Sequence, residues 1–279
     1  DGFYYTPPRN RNSFDLDLDI RTLNLASIEG FTMGSLRQAS GSLAGRLKVN
    51  GTPTAPAVRG DLTFNDAAFN VSMLNAFYRL DDQRISFTSR GIELNDFTLN
   101  DSVGNDAVID GTIYTTNYLD YRFGLDVTTE NFKALSSTAR DNDLFYGTVF
   151  LSSDLRIEGE MDAPSVDGKV SINKGTRFTI VLPSSDPAVQ DREGVVEFVD
   201  MDNPEQIRPL PAGPDTLNRT SVSGMDVSLN VEVDSNAVFS IIVDEGTGDF
   251  LEVQGEASLS AGIDPSGKIS MTGDYTLSR

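Results

Sequence analysis

One stretch of this sequence occurs twice, and the repeat limits what the chain can fold into. Leu47-Lys48-Val49-Asn50-Gly51 leads to Ala55-Pro56-Ala57-Val58-Arg59-Gly60-Asp61-Leu62-Thr63-Phe64-Asn65. Leu155-Arg156-Ile157-Glu158-Gly159 leads in the same way to Ala163-Pro164-Ser165-Val166-Asp167-Gly168-Lys169-Val170-Ser171-Ile172-Asn173, at a constant offset of 108 residues. Each copy holds two runs of alternating apolar residues joined by a turn that contains proline, the pattern of a β unit with one dry face. Self-similarity of this kind points to an elongated array. A weaker echo sets Gly267-Lys268-Ile269-Ser270-Met271 against Gly168-Lys169-Val170-Ser171-Ile172, so the pattern resumes near the end.

Period-two alternation fills most of the remaining chain. Phe14, Leu16, Leu18 and Ile20 oppose Asp15, Asp17 and Asp19, as in a strand with one face in water. Ile92 with Leu94, Phe97 with Leu99, and Val227, Leu229, Val231 and Val233 repeat the pattern. Turn residues interrupt the runs every ~8 to 12 positions, the spacing of an all-β chain, here of about 16 strands. Residues 1–13 read as irregular, and only residues 75–79 and 129–141 read as short turns or helices. Four prolines mark residues 201–222 as a loop. The expected organisation is a leading segment with the first strand (1–29), a repeated β-groove (30–200), the Pro-rich loop (201–222) and a continuation of the groove (223–279). A sheet with one apolar face must fold on itself, or leave a groove for something else to fill. Alternation leaves both outcomes open.

Composition excludes several classes of chemistry. The chain has no Cys and no His, so it cannot build a disulfide, a thiol nucleophile, a Cys/His metal set or a Ser-His-Asp triad. Its 42 acids against 22 bases give a formal charge of −20, a field that repels nucleic acid and anionic head groups. Two readings of the Asp excess stay open: adaptation to high salt, or use of Asp and Asn as the turn residues of a β protein. No stretch reaches the roughly 18 to 20 apolar residues of a membrane span. The chain opens on Asp1, which suggests a fragment or mature product whose targeting or anchoring segment lies outside it.

Candidate sites are few. Asp15, Asp17 and Asp19 fail the EF-hand pattern, because the required Gly and Glu positions hold Ile20 and Ala26. A solvated strand face explains them better. Asp244 to Asp249, and Asp101 with Gly104, Asn105 and Asp106, read as tight hairpin connections ahead of calcium turns. Chance acid pairs abound among 42 acids and do not single out a glycosidase. Neither a phosphate cradle nor a dinucleotide fingerprint occurs. Most of the six dispersed methionines read as filler in the apolar face.

Several motifs in order along the chain are similar to the TamB family, the translocation and assembly module proteins of the AsmA-like superfamily, in their C-terminal domain. They are Asn75-Ala76-Phe77-Tyr78-Arg79-Leu80 through Ile85-Ser86-Phe87, Asn95-Asp96-Phe97-Thr98-Leu99-Asn100-Asp101, Gly104-Asn105, and Asp110-Gly111. Asp141-Asn142-Asp143-Leu144-Phe145-Tyr146-Gly147-Thr148, Gly194-Val195-Val196-Glu197-Phe198-Val199-Asp200, Asp244, Thr247-Gly248-Asp249 and Gly273-Asp274-Tyr275 extend the likeness. It covers roughly residues 30–279 and resembles Bacteroidota versions.

The resemblance implies an elongated sheet curled into an open, taco-like trough with an apolar interior. It implies a periplasmic protein of a diderm bacterium, anchored in the inner membrane by a missing N-terminal part. A C-terminal region outside this chain would meet a TamA-type outer-membrane barrel. The implied function is conduction of phospholipid between the membranes in outer-membrane biogenesis, with no enzyme activity, cofactor or metal. The expected lining for acyl chains is Leu47, Val49, Leu62, Phe64, Ile109, Ile113, Phe123, Leu125, Val127, Leu155, Ile157, Val170, Ile172, Phe239, Ile241 and Val253. Two alternatives stand beside it: a chaperone-like scaffold for outer-membrane protein or autotransporter assembly, and a surface adhesin with a packed core. About 16 strands stacked along one axis would give a trough of roughly 75 Å.

Overall fold

Sixteen strands form a single sheet in the computed structural model, which describes residues 1–9, 12–181, 224–244 and 249–278. The first half comprises β1 (Gly2–Arg9), β2 (Asn12–Asn24), β3 (Leu36–Thr52), β4 (Ala55–Val71), β5 (Ala76–Leu80), β6 (Arg84–Phe87), β7 (Gly91–Asn100) and β8 (Asp106–Tyr114). The second comprises β9 (Arg122–Ser137), β10 (Phe145–Glu160), β11 (Ala163–Ile172), β12 (Arg177–Val181), β13 (Asp226–Val233), β14 (Val238–Asp244), β15 (Asp249–Ile263) and β16 (Ile269–Leu277). One turn of helix, α1 (Ala26–Glu29), runs into a 3-10 turn (Gly30–Thr32) between β2 and β3. The expected loop at 201–222 lies outside the described residues.

Three expectations for local structure are corrected. Residues 2–9, read as irregular, pair with β2, Gly2 opposite Leu16 and Arg9 opposite Asn12. Residues 76–79 and 129–137, inside the windows read as short turns or helices, are strand, because cross-strand partners in β4 and β10 override weak local preference. Four of the methionines do not fill the apolar face: Met33, Met73, Met161 and Met271 are 62% to 98% exposed.

Sixteen strands make thirteen rungs, because β5 and β6 both lie along β4, β11 and β12 along β10, and β13 and β14 along β15. At about 4.8 Å per step the sheet extends about 60 Å, not the ~75 Å of sixteen separate rungs. Pairing is antiparallel except where β11 and β12 run parallel to β13 and β14. A parallel return needs a connection of a dozen or more residues, and 44 lie between Val181 and Asp226.

The repeated segment folds identically in both places. Gly51 opposes Pro56 and Leu47 opposes Gly60; Gly159 opposes Pro164 and Leu155 opposes Gly168. Gly60 (φ 128°) and Gly168 (φ 149°) need to be glycine, since a Cβ there would sit 2.0 and 2.1 Å from the carbonyl oxygens of Arg46 and Asp154. The third echo does not keep this register. Gly267 sits in the turn after β15, and on β16 it is Gly273 that opposes a leucine, Leu259.

A line of irregularities crosses the rungs. β4 carries Asp66 at φ 48°, residues 81–83 separate β5 from β6 with Asp82 at φ 54°, and β7 shifts register between Leu94 and Phe97 with Asp96 at φ 48°. After a step between β8 and β9 the line continues at Asn131 (φ 49°), at the shifts in β10, and at the breaks 173–176 and 234–237. Asp and Asn tolerate this left-handed backbone, and aligned bulges bend the strands that carry them. Side chains from both sides of the line meet: Phe64 packs edge-on against Phe97 at 5.8 Å, with Ala67, Leu80, Ile85 and Leu94 around them. The inner face is therefore concave along a crease. Asn95 and Asp96, which divided two short runs in the sequence, lie inside one strand.

Candidate functional site

Rows of apolar side chains cross the strands on the inner face. Leu125, Ile157, Val166, Val227 and Ile263 stand in direct register on five successive strands. Beside them run Ile109, Val127, Leu155, Gly168, Leu229 and Ala261, then Val170, Val231 and Leu259. Beyond the crease the rows resume as Phe178, Phe239 and Val253, and as Ile180, Ile241 and Leu251. The rows follow from period two combined with hairpin registers that keep parity from strand to strand.

The opposite face is polar and charged. Asp126, Arg156 and Asp167 form one outer row, and Asp154 and Lys169 belong to the next. Arg156 Nε lies 3.0 Å from Asp126 and Lys169 Nζ 2.8 Å from Glu232. On the N-terminal strands Lys48 lies 3.2 Å from Asp15 and 3.4 Å from Asp17, which places the Asp15, Asp17, Asp19 series on this solvated face. Such exposed pairs set solubility more than stability.

The sixteen expected lining residues fall into two environments. Leu62 is buried, and Phe64, Ile109 and Leu125 pack against the buried cluster at the crease. Ile172 and Phe239 pack against a smaller cluster of Val233, Ala237 and Ala257. Leu47, Val49, Ile113, Phe123, Val127, Leu155, Ile157, Val170, Ile241 and Val253 are half-buried and belong to none of the three buried clusters among the described residues.

Between β4 and β9 the sheet closes on itself. The tip of the short β7–β8 hairpin stops at Asp101, and above it β5 and β9, which are not neighbours in the sheet, touch directly. Tyr78 Oη donates to Ala134 O (3.1 Å), Ser136 N donates to Leu74 O (3.1 Å), and the Tyr78 ring stacks on Phe132 at 5.3 Å. Burial, with the nearby Asp101 charge, pushes the Tyr78 phenol up to about 12, so it stays a donor. On the opposite rim Tyr118, from the β8–β9 loop, donates to Val58 O of β4 (3.3 Å) and lies against Phe87.

Asp101, read from sequence as a hairpin residue, does more than cap the turn. Its carboxylate is fully buried and accepts from the backbone N–H of Val103 (2.8 Å), Asn105 (2.9 Å) and Lys133 (2.7 Å) and from Asn105 Nδ2 (3.1 Å). Burial alone would raise its pKa, but these hydrogen bonds outweigh that and hold it below the ordinary carboxylate value. Asp244 pairs with Asp249 across the β14–β15 connection; residues 245–248 lie outside the described residues. Sequence reasoning missed Tyr78, Tyr118 and Phe132 as closing residues. Their partners are 56, 60 and 54 positions away, and no local pattern signals such contacts.

Across β10–β16 the inner wall therefore offers rows of alkyl side chains partly open to solvent. That surface suits an apolar, flexible ligand more than a compact polar one. The family model of the TamB C-terminal domain matches residues 95–279, about two thirds of the chain. No curated protein and no solved structure matches the chain.

Proposed function

The chain belongs to the TamB family, and on that premise we propose that its inner wall carries phospholipid acyl chains between the two membranes of the envelope. The family acts in the translocation and assembly system of the outer membrane, with a TamA-type partner, in the envelope of diderm bacteria. It is a transport and assembly family, not a known enzyme family.

The observation that carries the proposal is the half-buried row Ile157, Val166, Val227 and Ile263. An alkyl chain laid on it would shed water from both partners, at roughly 0.8 kcal/mol per buried methylene, while the head group stays at the rim. Many similar weak contacts hold a chain without fixing it at one position, as transport requires. The test is lipid extraction and mass spectrometry on protein purified without detergent, beside a mock purification. Near-stoichiometric phospholipid supports the reading, and a folded, lipid-free monomer sinks it.

A second reading has its own observation. β16 pairs with β15 along one edge and with no other described strand, an arrangement open to strand addition by a client chain. Saturable binding of an outer-membrane β-signal peptide to lipid-free protein would favour this scaffold role.

A further inference from the structure

We propose that the closed middle of the sheet, β4 to β9, is a gate in the trough, opened by swinging β5 away from β9. The proposal rests on the lipid-conducting reading above. Without movement, side chains fill this stretch: Leu80, Leu94 and Phe97 at the crease, and Ala76, Tyr78, Ala107 and Phe132 under the seam. The apolar wall is then divided into a part at β2–β3 and a part at β10–β16. A chain passing from one to the other must displace these residues.

The seam is built to part. β5 is five residues long, bounded by the turn at 72–75 and the break at 81–83, and it shares one paired position with β7, Arg79 opposite Asn100. It keeps five paired positions with β4, from Ala67–Leu80 to Val71–Ala76. β4 bends at Asp66 and β3 at Gln38, and beyond those points β3 stays paired with β4 from Leu36–Val71 to Ser40–Ala68, so the unit that moves is this end of β3, β4 and β5 together. Besides the apolar packing of Ala76, Tyr78 and Leu80 in the two buried clusters, the unit is tied to β9 and the turn after it by a pair of hydrogen bonds, one ring stack and the Asn75 Nδ2 to Asp141 Oδ2 contact of 3.0 Å, not by a ladder. No hydrogen-bond ladder has to break for the seam to part, so the cost of opening is chiefly the exposure of Ala76, Tyr78 and Leu80 to water.

The absence of cysteine makes the test clean. Asn75→Cys with Asp141→Cys would be joined across the seam by a short bis-methanethiosulfonate linker, each thiolate displacing methanesulfinate to form a disulfide that dithiothreitol reverses. The protein is mixed with phosphatidylcholine vesicles containing a benzophenone-tailed phospholipid, illuminated, and mapped by mass spectrometry. Expected is labelling of the open wall at Ile157 and Leu229 in all forms. Labelling of the middle at Leu94 and Phe97 should fall at least about tenfold when linked and return on reduction.

Equal labelling of the middle in linked and reduced protein overturns the gate. So does an open wall that labels while the middle never does, and both results leave the lipid reading standing. No labelling anywhere overturns the lipid reading and the gate with it. Hydrogen exchange on the unmodified protein is the second measurement. The Ser136 amide should exchange at least about tenfold faster than that of Leu155 in the β10 ladder; equal protection would mark a permanent seam.

Discussion

The stretch from β4 to β9 and the stretch from β10 to β16 carry the same alternation but end in different states. In the first, Leu80 is 3% exposed and Phe97 8%, packed with Ala67 and Leu94 at the crease, beside the contacts between β5 and β9. In the second, Leu155, Ile157, Val166, Val227 and Leu229 remain half-buried on a wall of the same parity. Alternation decides which side chains face inward, and long-range contacts decide what meets them there. Tyr78 on Phe132 and Tyr118 on Val58 convert one part of the trough into a core.

The contrast is broken most severely by charge placed in the closed part. Leu80→Asp puts an unpaired carboxylate among Ala67, Leu94 and Phe97, at a cost of about 4 kcal/mol or more. Circular dichroism melts should show gross loss of cooperative unfolding.

Asp101→Ala comes next. It leaves the backbone N–H groups of Val103, Asn105 and Lys133 without their acceptor, and hydrogen bonds to a charged group are worth about 1.5–3 kcal/mol each, not additively. The pH dependence has a definite sign. A folded-state pKa below the unfolded value gives stability that is present above the unfolded pKa and lost as pH falls through the folded one. Melts between neutral and acidic pH should show the wild type losing more stability than Asp101→Asn.

Glycine substitutions sharpen the comparison by hitting both parts alike. Gly60→Ala and Gly168→Ala impose the same clash with a neighbouring carbonyl, so each should cost about 1–3 kcal/mol in chemical denaturation. A large disparity would show that the two copies of the repeat are not mechanically equivalent. Smallest is Arg156→Ala on the outer face, where the exposed pair with Asp126 gives no measurable change in melting temperature.

Much of this was legible in the sequence. The repeat marked two equivalent hairpins, and the structure gives them the same register, Leu47 and Leu155 each meeting a glycine 13 residues on. Strand parity followed from alternation. The crease was hidden because Asn65-Asp66 and Asn95-Asp96 look the same in a turn as in a bulge, and only the cross-strand register distinguishes them. Tyr78, Tyr118 and Asp101 were hidden for a different reason: their roles depend on partners brought near by the whole sheet.

The most direct measurement is made on a single sample of Ile157→Arg, taking its melting curve and its detergent-free phospholipid content together. An open wall predicts a melting temperature within a few degrees of wild type and loss of the bound lipid. An unfolded or strongly destabilised protein would contradict it, because it would mean that Ile157 lies in a sealed core like that around Leu80.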